Sequence, residues 1–262
     1  MLKTRIITAV IALLFLGVVL FVIPAQLAEA VIGIVVVAGA WEWSAFLGVS
    51  AKATRAAFVI AIAAAIGVFY SLWPQYSVLV LQVAFVWWFC AFLWILFFPT
   101  PIPGPIRWAA GFLVLVPMFI ALILLYRIGP PTLLFALLIV WAADAGAFFA
   151  GKQFGRVKLA PAISPGKTWE GVFGGFLVVA LLALGAANWA DVGVGVLLPF
   201  CLAVAALSIV GDLTVSMFKR TAGVKDSGTL FPGHGGVLDR VDSIASSAPL
   251  FALGAGWLGL SG

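Results

Sequence analysis

An all-α fold, a polytopic helical bundle integral to a membrane, is the fold class this sequence predicts, and three observations predict it. Charged residues are 9% and AVILMFWYC residues 65% of the 262, against roughly 25% and 45–50% in an ordinary globular protein. Apolar runs of spanning length recur along the whole chain. Lys and Arg fall almost entirely in alternate loops. With 14 basic and 9 acidic residues, a soluble protein of this size could not cover its surface, so lipid is the solvent for most of the chain.

A hydrocarbon core of about 30 Å takes roughly 17–25 helical residues to cross. Nine such stretches are read, at about 6–23, 27–48, 56–73, 77–98, 108–126, 131–150, 171–189, 192–215 and 244–260. The first follows MLKTR and precedes Ala28-Glu29-Ala30, which imitates a cleavable leader. Its apolar run from Ile6 to Ile23 exceeds the usual h-region of about 7–15 residues, so it is read as an uncleaved span. Pro24, Trp73-Pro74, the run PTPIPGPIR (99–107) and Gly129-Pro130-Pro131 separate the early spans. Proline lacks the N–H that a helix needs and disfavours helix before it.

Counting cations in alternate loops gives the orientation. Thirteen of the 14 Lys and Arg fall on one side and only Arg127 on the other. The positive-inside rule then places the N-terminus in the cytoplasm and the C-terminus outside, with an odd number of spans. The net charge of +5 reports those loops, not a nucleic-acid footprint. Residues 1–143 carry 8 charges and residues 144–262 carry 15. The expected organisation is therefore an N-terminal membrane scaffold of about five spans (1–130) and a catalytic membrane half (131–262) with cytoplasmic loops 151–170 and 216–243. Cys90 and Cys201 sit alone in separate apolar runs, and with one His the chain cannot build an ordinary Cys/His metal centre.

Ionisable groups inside spans are expensive and point to function. Glu42, Asp144 and Asp212 lie at similar depth near the cytoplasmic ends of the second, sixth and eighth spans. The Trp residues beside Glu42 also suit an interfacial anchor. Segment 216–243 packs four cations, three aspartates, the single His and five glycines into one loop. Asp239 and Asp242 are three apart, so on a helix they share a face and could hold a hard cation. Lys219 and Arg220 form a phosphate-sized positive patch, and the glycines beside His234 offer backbone N–H groups to an anion. Gly166-Lys167-Thr168 is not a P-loop, because Pro161 stands where that pattern needs Gly. A Ser/Lys/Thr cluster at a helix start still suits phosphate. Glu170 is read either as part of that site or as a helix cap. Carboxylates for Mg²⁺, cations for phosphates and no paired protein nucleophile make the kit for phosphoryl or nucleotidyl transfer.

At this point the residues resemble a known family, the phosphatidate cytidylyltransferases (CDP-diacylglycerol synthases). The signature positions are Ser216, Lys219, Arg220, Lys225, Asp226, His234, Gly235, Gly236, Asp239, Arg240 and Asp242. Supporting blocks are Gly211-Asp212, Asp144 followed by GKQFG, and Ser164-Pro165 with Lys167-Thr168-Trp169-Glu170-Gly171. Gly166 departs from the family, which commonly has lysine there, and this leaves Lys167 to carry the contact. The resemblance implies transfer from CTP to phosphatidic acid, giving CDP-diacylglycerol and pyrophosphate in phospholipid biosynthesis. It also implies Mg²⁺, a second monovalent cation such as K⁺, the lipid bilayer as partner and a homodimer. On this expectation Asp212, Asp239, Asp242 and Asp226 are metal ligands with Asp144 in support. Lys225, Asp226, His234 and Arg240 are catalytic, while Ser164, Lys167, Thr168, Ser216, Lys219 and Arg220 bind substrate. A CTP-dependent kinase of a lipid alcohol is the nearest rival. A transporter is disfavoured, because its acids should line a path across the bilayer and these gather at one surface.

Overall fold

The computed structural model describes residues 2–72, 75–190, 192–228, 230 and 235–259. Its α-helices are α1 (Leu2–Phe21), α2 (Ala25–Trp43), α3 (Lys52–Ser71), α4 (Ser77–Phe97), α5 (Gly104–Ile128), α6 (Pro130–Phe154), α7 (Trp169–Ala190), α8 (Val194–Thr221) and α9 (Leu238–Trp257). A 3₁₀ turn, Ser44–Leu47, extends α2. Among the described residues seven helices, α2 to α8, are long and apolar enough to cross a membrane. The first turns of α9 carry Asp239, Arg240 and Asp242, which dilutes its hydropathy although its length is similar. The chain is an all-α polytopic bundle.

The proline breaks fall as the sequence implies. Pro24 immediately precedes α2, and Pro130 and Pro131 occupy the first positions of α6, where a missing N–H costs nothing. The break at Trp73-Pro74 lies outside the described residues. Other prolines did not break anything: Pro117, Pro199 and Pro249 sit inside α5, α8 and α9, where packing against neighbouring helices holds the chain helical.

Two expectations about the loops need correction. Segment 151–170 is not irregular: its first residues complete α6, and the rest contains an antiparallel hairpin of β1 (Lys158–Ala160) and β2 (Ser164–Thr168). Segment 216–243 is mostly helix, because α8 runs on to Thr221 and α9 starts at Leu238. Hydropathy ends a span where charge begins, whereas a backbone helix continues past the hydrocarbon until a cap stops it. Ser216, Lys219, Arg220, Asp239, Arg240 and Asp242 are thus helical residues, and only residues 222–237 separate the two helices.

α5 is the most enclosed of these seven helices, with about two-thirds of its most apolar stretch buried, and α2, α3, α4, α6 and α9 pack around it. Because lipid tails are as apolar as Leu, such packing relies on close fit. Gly111 of α5 gives one example: a Cβ there would overlap the rings of Phe58 and Trp43. The Trp43 indole donates to the Arg107 carbonyl at 3.0 Å and lies 5.0 Å from the Phe218 ring. That contact fixes the end of α2 against the end of α8. The α6–α7 hairpin is closer still. A Cβ at Gly146, Gly174 or Gly175 would collide with the facing helix backbone or Ala150.

Arg127 is the partner of a buried acid. Its Nε and Nη2 donate to the Glu29 carboxylate at 2.6 and 2.9 Å, and Tyr70 Oη donates to the same group at 2.6 Å. This cluster ties α2, α3 and α5 together at the end of the bundle away from residues 216–243.

Candidate active site

The working end of the molecule is built by α6, β2, α7, α8 and the start of α9. Between α6, β2–α7 and α8 lies a cavity of about 430 Å³ lined by Asp144, Lys152, Lys167, Thr168 and Asp212, with apolar walls from Phe148, Phe176 and Ile209. Small residues make room for it: Ala143, Ala147, Gly151, Gly171 and Gly175 also line the space. The substitution-intolerant seam of α6 and α7 therefore doubles as the wall of the cavity.

Asp212 is the carboxylate of the cavity wall that holds a cation directly. Its Oδ2 receives the Lys167 ammonium at 2.7 Å, and its Oδ1 accepts from the Ser216 hydroxyl one turn later, at 3.1 Å. Asp144 and Asp242 both lie within electrostatic range of Asp212. Lys167 acts on all three, Lys219 on Asp212 and Asp242, and Arg240 on Asp144. Asp242 is buried, and its Oδ1 accepts from the Ser243 N–H at 2.8 Å.

Asp239 and Asp242 do not act as a facing pair, which corrects the expectation drawn from their spacing. Three residues leave side chains roughly 60° apart around a helix, enough to give them different neighbours. Asp239 turns toward the connecting loop. Its Oδ1 takes the Lys219 ammonium at 2.8 Å, and its Oδ2 accepts from the N–H groups of Ser227 and Gly236, each at 2.9 Å. Asp242 instead lies within electrostatic range of Asp212. Lys219, expected as part of a phosphate patch, is buried and paired with Asp239.

Other expected residues serve as braces. The Thr168 hydroxyl accepts from the Gly171 N–H at 3.2 Å, an N-terminal cap for α7. Arg220 Nε donates to the Ile163 carbonyl at 3.0 Å, joining the end of α8 to the hairpin. Glu170, left open as site or cap, accepts from the Val157 N–H through both oxygens at 3.1 and 3.2 Å. Ser164 begins β2 opposite Ala160. Lys225, Asp226 and Arg240 are exposed. His234 lies outside the described residues.

Two participants were missed or undervalued. Lys152 lines the cavity two turns beyond Asp144, and its presence in the GKQFG block was the available signal. Glu42 proves to be no interfacial anchor. It is buried at 7% exposure and accepts from Ser227 Oγ and the Val237 and Leu238 N–H groups. Nothing in the sequence joins residue 42 to residue 237.

The donor set can be weighed against Mg²⁺. Among the described residues no three His, Cys, Asp or Glu side chains gather closely enough to hold a metal by themselves, so the five-aspartate ligand set is too large. Mg²⁺ does not ask for that many. It commonly binds through one or two carboxylates and completes its shell with water and substrate phosphates. Asp212 and Asp242, hard oxygen donors in mutual electrostatic range, fit such a site.

Fold and site together define a membrane-embedded enzyme with a carboxylate-and-cation centre suited to phosphate groups. The chain belongs to the Cytidylyltransferase family, whose model matches residues 3–255. It is 41% identical to a phosphatidate cytidylyltransferase of Pseudomonas aeruginosa, with 98% of this chain and 99% of that protein covered. A Haemophilus influenzae protein of the same name is 36% identical over 96% of this chain and 98% of its own length. A Brucella suis namesake is 45% identical across 48% of this chain and 47% of the relative.

Proposed function

We propose that this chain transfers the cytidylyl group of CTP to phosphatidic acid, giving CDP-diacylglycerol and pyrophosphate. The observation that carries the reading is the convergence of Asp144, Asp212 and Asp242 with Lys167 and Arg240 at one end of the bundle, beside a cavity with apolar walls. A lipid phosphate needs such a place, with charge neutralised on one side and hydrocarbon on the other.

In the reaction an oxygen of the lipid phosphate attacks the α-phosphorus of CTP. The bond from that phosphorus to the bridging β-phosphate oxygen breaks, and pyrophosphate leaves with the bonding electrons. Asp212 and Asp242 would hold Mg²⁺, with Asp144 beside them; Mg²⁺, when bound, neutralises charge on the transferring and leaving phosphates. Lys167, anchored by Asp212, presents an ammonium to a phosphate in the cavity. Arg240 on the first turn of α9 and Lys225 on the loop offer further positive charge to the triphosphate. Ser216 keeps the Asp212 carboxylate oriented. Positioning and charge neutralisation suffice, because the substrate supplies the nucleophile.

The site and the N-terminus face the cytoplasm in this reading and the C-terminus faces out, supported by the 13-to-1 distribution of Lys and Arg. Single cysteines at Ser227 and Ser261 should label with opposite accessibility in intact cells. Assembly as a homodimer and use of a monovalent ion such as K⁺ complete the proposal; light scattering in detergent and activity with and without K⁺ test them. The decisive experiment incubates purified protein with phosphatidic acid, labelled CTP and Mg²⁺. Labelled CDP-lipid and pyrophosphate support the reading. A phosphorylated lipid with free CDP would instead identify a lipid-alcohol kinase.

A further inference from the structure

We propose that Glu42, far from the signature residues in sequence, is a positioning residue that holds Ser227 and Gly228 of the connecting loop, together with Gly236 and the start of α9, in the geometry the reaction needs. The inference rests on the reading of that loop as part of the CTP site. Glu42 Oε2 accepts from the Ser227 hydroxyl at 2.9 Å and from the Leu238 N–H at 2.7 Å, while Oε1 accepts from the Val237 N–H at 2.9 Å. Ser227 stands six residues beyond the end of α8 and Val237 immediately before α9, so a single carboxylate from α2 ties two separated points of the loop together.

Three features make this more than a chance contact. The acid is buried, and among the described residues no Lys or Arg pairs with it, so its charge is met by donors of the loop and of α9. Leu238 is the first residue of α9, where unpaired N–H groups and the helix dipole favour a negative charge. Finally, Gly228 and Gly236 both lie against the carboxylate, and a Cβ on either would overlap it. The loop is pressed onto Glu42 from both of its arms.

Asp239 repeats the arrangement from the other side. It accepts from the Ser227 and Gly236 N–H groups, so Ser227 is gripped by its hydroxyl on Glu42 and by its N–H on Asp239. Lys225 and Asp226 immediately precede that grip, and Arg240 follows Leu238 by two residues. Whatever fixes Ser227 and Leu238 fixes where these charges stand. Glu42 itself need touch no substrate.

Glu42→Gln is the informative variant. The amide keeps the size but replaces one acceptor with a donor. Two of the partners are backbone N–H groups that cannot reverse their polarity, so at least one contact becomes donor against donor. Steady-state kinetics of the full chain in detergent should show KM for CTP raised about tenfold, because small misplacements of binding groups are costly. Hydrogen exchange should quicken at Val237 and Leu238. Ser227→Ala removes one bond only and should give the same effects, reduced to about threefold, which keeps the test available if E42Q does not fold. Glu29→Gln, which weakens a comparable buried acid at the other end of the bundle, should leave KM for CTP unchanged.

Unchanged exchange and unchanged KM in folded E42Q and S227A would overturn the proposal. So would a loss of apparent kcat that tracks the loss of folded protein while KM stays constant, since that is mere destabilisation. The underlying reading fails separately: if CTP with Mg²⁺ gives the wild-type loop no added protection from exchange, the loop is not part of the CTP site, whatever E42Q does to its dynamics.

Discussion

Asp212→Asn tests the centre of the site, and the structure supplies both halves of the expected result. The wild-type carboxylate receives Lys167 at 2.7 Å and the Ser216 hydroxyl at 3.1 Å. Asparagine has the same shape and can turn its oxygen to Lys167 and its NH₂ to Ser216, whose hydroxyl is able to accept. What disappears is charge assistance, worth about 1 kcal/mol given roughly 1.5–3 kcal/mol for a charged bond and 0.5–1.5 for a neutral one. The fold should therefore persist, with only a modest fall in the thermal midpoint in detergent. Turnover should fall at least about a hundredfold, or roughly 2.7 kcal/mol of transition-state stabilisation, because a hard-cation ligand and its charge are lost. A double-mutant cycle with Lys167→Met sharpens the test. The two groups share one bond, so their effects on stability should deviate from additivity by about 0.5–3 kcal/mol. Near-normal kcat/KM for D212N across a Mg²⁺ titration would remove Asp212 from the metal site. Additive stabilities would show that the ion pair contributes nothing in solution.

Three further outcomes follow from other contacts. Arg240→Lys keeps the charge that topology requires but loses the planar fork, and kcat/KM should drop on the order of tenfold, about 1.4 kcal/mol; wild-type kinetics with correct membrane insertion would return Arg240 to a purely topological role. Gly174→Val forces side-chain atoms into Ala150 and the Gly146 carbonyl across the α6–α7 seam, so the thermal midpoint should fall by the equivalent of about 1–3 kcal/mol, and activity should fall with it because this seam walls the cavity; an unshifted midpoint would contradict the close packing. Arg127→Ala leaves the buried Glu29 carboxylate with Tyr70 but without its charged partner and should destabilise the protein by about 1–3 kcal/mol while KM for CTP is unaltered, whereas a raised KM would show that the two ends of the bundle are coupled.

Much of the fold could be read from the chain because lipid imposes a simple rule: every backbone polar group must be satisfied within the segment, so apolar runs of sufficient length become helices. The helix ends were less legible. α8 and α9 extend into charged sequence, where hydropathy falls but helical hydrogen bonding continues, and the β1–β2 hairpin is too short and polar to leave a period-two signal. Within the site, residue types were informative and pairings were not. The spacing of Asp239 and Asp242 suggested a shared metal, yet Asp239 is bonded to Lys219, Ser227 and Gly236, whereas Asp242 accepts from the Ser243 N–H and lies in electrostatic range of Asp212. Lys167 was expected to face phosphate, and nothing nearby in sequence announced Asp212 as its counter-ion.

Composition, span length and cation asymmetry thus determined by themselves that this protein is a helical membrane bundle, and fixed-spacing motifs singled out the chemistry-bearing residues. These are local or periodic properties, and one segment suffices to express them. Tertiary structure alone decided which acid meets which cation, which signature residues brace the fold, and that Glu42 of α2 closes a loop 185 residues further along the chain. Such choices depend on how separate helices cross and how closely glycine lets them approach. No stretch of sequence contains both partners, so only the packed bundle could make them.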